Sequence, residues 1–131
     1  MSVDIKGQKE LLNEIEKRFG KKRMQEISDE ALLNGAEVFV KELKKQFEQF
    51  KDTGASLEEI TIADPATIGG VRTVRVHWKG PKERYRIIHL NEFGTVKNPN
   101  PRGKGAIARA LRESEKAYRE AIEQSIREGM S

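Results

Sequence analysis

Apolar residues recur at Leu11, Leu12, Ile15 and Phe19, three to four positions apart, and predict a short amphipathic helix over 8–19 that Gly20 ends. A longer stripe follows at Leu32, Ala36, Phe39, Leu43, Phe47 and Phe50. It predicts the main helix of the core, with Ser28 as N-cap, Asp29 and Glu30 at the positive end of its dipole, and Asp52, Thr53 and Gly54 closing it. From Leu57 the period shortens. Ile60 and Ile62 predict one strand, and 71–78 a second, with Val74, Val76 and Trp78 on one face and Thr73, Arg75 and His77 on the other. Gly80-Pro81 marks a turn, and 85–90 reads as a third strand in an antiparallel hairpin with the second. Residues 91–105 form a glycine- and proline-containing loop. Ile107, Leu111, Tyr118, Ile122 and Ile126, with Ala110, Ala117 and Ala121 beside them, predict a last helix over 105–128. The order of elements implies an α+β class, a small antiparallel β-sheet packed on a long helix from the N-terminal half and on a C-terminal helix.

A chain of 131 residues suits a single domain, 1–131. Charged residues make up 35% and hydrophobic residues 36%, and the mean hydropathy is −0.72. Such a chain has a thin core, served either by long helices with wide solvated faces or by a neighbouring subunit. The absence of cysteine removes disulfides, thiolate zinc sites and cysteine nucleophiles, and fits a reducing compartment. No apolar run reaches the roughly 20 residues of a membrane span, and residues 1–10 lack the apolar stretch of a signal peptide, so a soluble protein made in the cytoplasm is expected, with no membrane partner.

The net charge of +4 is unevenly spread: 1–70 carries −3, 71–105 carries +7 and 106–131 is neutral. Arg72, Arg75, Lys82, Arg84 and Arg86 form a candidate basic face, to which Lys79, Lys97, Arg102 and Lys104 add charge. It suits phosphates or an acidic protein surface. A solvated sheet face is the simpler explanation of it.

Catalytic and metal-binding patterns are sparse. His77 and His89, each on a predicted strand, lack a third ligand at zinc spacing and read as sheet histidines that could be cross-strand neighbours. Asp52, Glu58, Glu59 and Asp64 gather at the junction of helix and sheet without a nucleophile or oxyanion motif, which suits turn and capping roles. Gly103-Lys104-Gly105 lacks the rest of a phosphate loop. Trp78 and Tyr85 among basic residues offer a base-stacking reading, but Trp78 shares the apolar face of its strand and is expected in the core. No catalytic residue, cofactor site or metal site is assigned, and the chain is read as a non-enzyme.

The run Tyr85 to Thr95, ending in Asn91-Glu92-Phe93-Gly94-Thr95, then Pro99, Pro101 and Ile107-Ala108-Arg109-Ala110-Leu111, resembles the small tail-component or neck proteins of long-tailed bacteriophages. Thr53-Gly54 with Leu57 looks like that family's Thr-Gly-x-Leu junction, with one extra residue at Ala55-Ser56. The resemblance covers 28–126 as a family-like core and leaves 1–27 as a peripheral helical extension. It implies a ring-forming tail-completion or neck protein at the head-tail junction, joining the tail tube to the head connector. Its partners would be itself and other phage neck and tail proteins, with DNA passing through the lumen. Its place would be the host cytoplasm during assembly and then the virion.

The same residues have a physical reading. Gly94 permits a sharp exit at positive φ, Phe93 either pins the loop to the core or inserts into a neighbour, and Glu92 bonds backbone amides or pairs with a neighbouring cation. Glu92, Phe93, Gly94, Thr95, Lys97, Arg102 and Lys104 are therefore the candidate interface and loop anchor. The alternative function is a nucleic-acid-binding module using the basic hairpin and loop 71–105.

Overall fold

The structure is a computed structural model and describes residues 2–49, 55–86, 88–101 and 104–131. Phe50, Asp52, Thr53, Gly54, Arg102 and Gly103 lie outside the described residues, as do the side chains of Arg86 and His89. The elements are β1 (Ser2–Lys6), α1 (Lys9–Phe19), α2 (Lys21–Glu48), α3 (Ala55–Glu58), β2 (Ile60–Ile62), β3 (Ala66–Ile68), β4 (Val71–Trp78), a 3-10 turn (Arg84–Arg86), α4 (Ile88–Phe93) and α5 (Ala106–Met130).

β4 is the centre of an antiparallel sheet. β1 pairs along one edge, with Val3 opposite Val76 and Ile5 opposite Val74. β2 and β3 share the other edge, Ile62 opposite Val76 and Ala66 opposite Thr73. The β3–β4 hairpin turns through Gly69 and Gly70 at φ of 60° and 78°, as a two-residue turn matching strand twist requires. The alternation expected on β4 is realised: Val74, Val76 and Trp78 are buried against α2. Trp78 stacks on Phe47 of α2, ring centroids 5.9 Å apart, in the core as expected.

α2 and α5 run antiparallel. Asn34 donates to Ser125 Oγ at 3.2 Å near one end, and Gln46 donates to Glu113 Oε2 at 2.9 Å near the other. Their axes approach closely because small residues line the seam. A Cβ added to Gly35 would stand 2.7 Å from Ile122 Cγ1. Phe39, Leu43, Val74, Val76, Ala106, Ile107 and Ala110 join one core, so the two long helices and the small sheet constitute an α+β fold. A second cluster, Leu12, Ile15, Ile27, Ala31 and Ile126, fastens α1 to the far end of this helix pair.

Four expectations need correction. The helix expected from Ser28 begins at Lys21, and Ser28 is buried within it, its hydroxyl donating to the Gln25 carbonyl at 3.3 Å instead of capping. Residues 2–6, read as part of a helical extension, are a strand whose Val3 and Ile5 enter the main core. The strand expected over 85–90 does not form: the 3-10 turn and α4 stand in its place, and β4 finds its partners in β1, β2 and β3. With both edges of β4 already occupied, 85–90 cannot pair with it as the expected hairpin requires. His89 therefore lies in a helix, and the residues across from His77 are Ser2 and Thr61.

Candidate assembly surface

A 25-residue helix starting at Ala106 presents unpaired backbone N–H groups at its first turn. Its N-cap residue is Gly105, in the left-handed region, with no side chain to accept them. Glu92 supplies the acceptor from outside. The Ile107 N–H donates to Glu92 Oε1 at 2.8 Å, and the Ala108 N–H to Glu92 Oε2 at 3.1 Å. The Gly105 N–H donates to the Glu92 carbonyl at 2.9 Å. Glu92 is only 6% exposed. Its negative charge therefore meets the positive end of the helix dipole in a poorly solvated position, where charge-assisted hydrogen bonds are strongest.

Glu59 repeats the device one segment earlier. This carboxylate, 3% exposed, accepts the N–H of Lys82 at 2.6 Å and of Arg84 at 2.8 Å, while its carbonyl accepts the Lys79 N–H at 2.9 Å. Gly80 lets the loop close over it, since a Cβ there would stand 2.6 Å from Glu59 Oε2. The two buried glutamates tie both ends of the 79–108 stretch to the body of the molecule. Glu58 pairs with Lys82 at 2.7 Å, so both glutamates of the junction serve the turn, as the sequence suggests.

After α4 the chain reverses at Gly94, φ 80°, whose N–H donates to the Leu90 carbonyl at 2.8 Å. Thr95 and Asn98 then bond reciprocally: Thr95 N–H to the Asn98 carbonyl and Asn98 N–H to Thr95 Oγ1, both at 2.9 Å. Lys104 Nζ donates to the Pro99 carbonyl at 2.8 Å, and Arg109 donates to the Lys104 carbonyl at 2.7 Å. These bonds tie Thr95 to Asn98 and link Lys104 to Pro99 and Arg109.

Ile88 enters the main core, but the other large apolar side chains described in 85–96 face water. Phe93 is 66% exposed and Val96 fully so, and Tyr85 and Leu90 are also exposed. Four of the five large hydrophobic residues exposed among the described ones thus fall within 85–96, which singles out this protrusion as the candidate surface. Phe93 does not pin the loop to the core. Gly94 and Glu92 do that work through the backbone, leaving the ring outside.

The candidate basic face does not assemble. Arg72 lies on the side of β4 that meets α2 and forms a two-pronged ion pair with Asp29 at 2.7 and 2.9 Å. Arg75 points from the opposite side and pairs in the same way with Asp4 at 2.7 and 3.1 Å. Lys82 is held by Glu58, and the Arg84 backbone by Glu59. Alternation along a strand separates neighbours of unlike parity, so Arg72 and Arg75 cannot share a face. Lys97 directly follows the exposed Val96, and Lys104 is tied to the same loop at Pro99.

The strand at 2–6 and the identity of the amides that Glu59 binds escaped the reading of the sequence. The strand had a signal, the alternation of Val3 and Ile5 with Asp4 and Lys6. Glu59 had none, because a carboxylate that binds amides more than 20 residues away carries no local spacing. Among the described residues, no three metal-binding side chains converge, and no helix is long and apolar enough to cross a membrane. No family model, curated protein or solved structure matches the chain.

Proposed function

We propose that this chain is a structural subunit of a long-tailed bacteriophage particle, a tail-completion or neck protein that forms a ring at the head-tail junction. It joins the tail tube to the head connector, and DNA passes through the lumen. It assembles in the host cytoplasm and ends in the virion. One observation carries the reading: the Glu92-Phe93-Gly94-Thr95 motif holds its glutamate buried on the α5 N-terminus and its phenylalanine out in solvent. A protrusion with a fixed backbone and apolar tips loses little freedom on docking and removes apolar surface from water, which suits a subunit that assembles. Ring contacts join unlike patches, and such a protrusion can serve as one of them.

The alternative, nucleic-acid binding through 71–105, draws less support from the geometry. Arg72, Arg75 and Lys82 are already paired with Asp29, Asp4 and Glu58, and a phosphate would have to displace a carboxylate at each.

Light scattering over a concentration series, with negative-stain electron microscopy of the most concentrated sample, tests the proposal. The expected result is a mass that rises with concentration, accompanied by rings or short tubes. A chain that stays monomeric throughout and instead binds duplex DNA with steeply salt-dependent affinity would overturn it.

A further inference from the structure

The ring contact requires a second surface, and the charge pattern of the two long helices identifies one. Residues 24–40 contain Glu26, Asp29, Glu30 and Glu37 and neither lysine nor arginine. Where this stretch meets the C-terminal half of α5, a shallow groove of about 410 Å³ opens between the helices. Val38, Ala121 and Ser125 line it, with Glu37 and Glu128 as its acidic residues and Lys41 as its single cation. The loop 94–105 carries Lys97, Arg102 and Lys104 and no acidic residue. It adjoins the exposed Leu90, Phe93 and Val96.

We infer that the Leu90–Val96 protrusion of one copy seats in the α2/α5 groove of the next, with Lys97 and Lys104 meeting Glu37 and Glu128. This rests on the ring-forming reading above and specifies the contact that such a ring would use. Apolar tips meet Val38 and Ala121, and charges of opposite sign lie beside them, which sets the register of the contact. The protrusion is fastened at Ile107, whereas the groove spans Ala121 to Glu128, roughly 20–30 Å further along α5 at 1.5 Å per residue. A copy therefore does not fill its own groove, and the contact joins two different patches. Such head-to-tail contacts close into rings when the rotation between copies permits.

A larger groove, about 610 Å³, lies between β1 and α5 and is more apolar, with Leu11, Leu111, Tyr118 and Ile122 in its walls. Its charged residues are Lys6, Arg119 and Arg127 against Asp4 and Glu123. Asp4 pairs with Arg75, Arg127 with Glu123 and Arg119 with Glu115, which leaves Lys6 as the uncompensated charge of this groove. A cationic loop meets an uncompensated lysine here and an excess of acid, Glu37 and Glu128 against Lys41, in the α2/α5 groove, so charge favours the latter as the seat.

Because the chain has no cysteine, introduced thiols report contacts without background. Val96→Cys and Ala121→Cys chains, each checked for unchanged circular dichroism, are mixed in equal amounts and oxidised mildly. Cross-linked species are then identified by mass spectrometry. The expected product is the mixed Val96→Cys/Ala121→Cys disulfide, several-fold in excess of either homodimer. Glu37→Lys in the acceptor should suppress it several-fold, and Lys97→Glu in the donor should restore it. Rings in the microscope without the mixed disulfide would overturn the inference and leave the ring-forming reading standing. Predominant Val96→Cys homodimers, or capture by Tyr118→Cys in place of Ala121→Cys, would likewise overturn it. Absence of both cross-links and oligomers would overturn the inference and the reading together.

Discussion

The Glu92 carboxylate caps a helix that begins thirteen residues after its own α4 ends, accepting the Ile107 N–H at 2.8 Å and the Ala108 N–H at 3.1 Å. Removing it leaves the Ile107 donor buried without a partner and withdraws a negative charge from the helix N-terminus. Glu92→Ala should therefore cost about 1–3 kcal/mol, the range of a lost cap and an unpaired buried donor. Glu92→Gln, which keeps one good acceptor, should cost less. Urea denaturation of the three proteins, with the midpoint falling at unchanged slope, checks the order.

Gly94 is constrained twice over. Its φ of 80° disfavours any side chain, and a Cβ would collide with the Pro99 carbonyl oxygen. Gly69, at φ 60°, has the first constraint and no neighbour within 4 Å. Both alanine variants incur the left-handed penalty of about 1–2 kcal/mol, and Gly94→Ala adds the displacement of the loop, about 1 kcal/mol or more. A paired denaturation series that finds the two variants equal would contradict this packing of 94 on 99.

Phe93 separates assembly from folding. At 66% exposure, its loss should change the stability of the isolated chain by less than about 0.5 kcal/mol. Phe39, fully buried between α2 and the sheet, should cost about 3–5 kcal/mol on truncation to alanine. Phe93→Ala should meanwhile lower the mass reached in light scattering at a given concentration. A large loss of stability would place the ring in the core after all.

Asp4 predicts a pH dependence. Its hydrogen bonds from Arg75 hold the carboxyl below the ordinary 3.8, burial opposes this, and the charges of Arg75 and Lys6 reinforce it. A folded-state value below the unfolded one means that the contribution is fully present above 3.8 and is lost as pH falls through the lower folded value. Asp4→Asn should thus be less stable than the natural chain at neutral pH, with the gap closing below pH 3.8. Denaturation midpoints from pH 7 down to about pH 2 measure it, and a constant gap would exclude the ion pair as its source.

Legibility in the sequence followed the range of each interaction. The stripe from Leu32 to Phe47, the alternation of Val74, Val76 and Trp78, and the stripe from Ile107 to Ile126 all record burial at a fixed period, and the α+β class follows from them. The glycine reversal at 94 was equally readable, because a positive φ is a local demand. Tertiary structure alone decided the partners. A strand-like run at 85–90 becomes a turn and a helix because β1 and the short strands β2 and β3 already occupy both edges of β4. Arg72 and Arg75, neighbours in a basic segment, part to opposite sides of one strand and find Asp29 and Asp4 on different elements. Glu59 and Glu92 become buried acceptors only because the fold brings distant N–H groups to them. Periodicity and backbone preference are properties of a few consecutive residues, and these the chain carries in itself. Pairing and burial of charge depend on which elements meet, and they arise only once the chain has closed on its core.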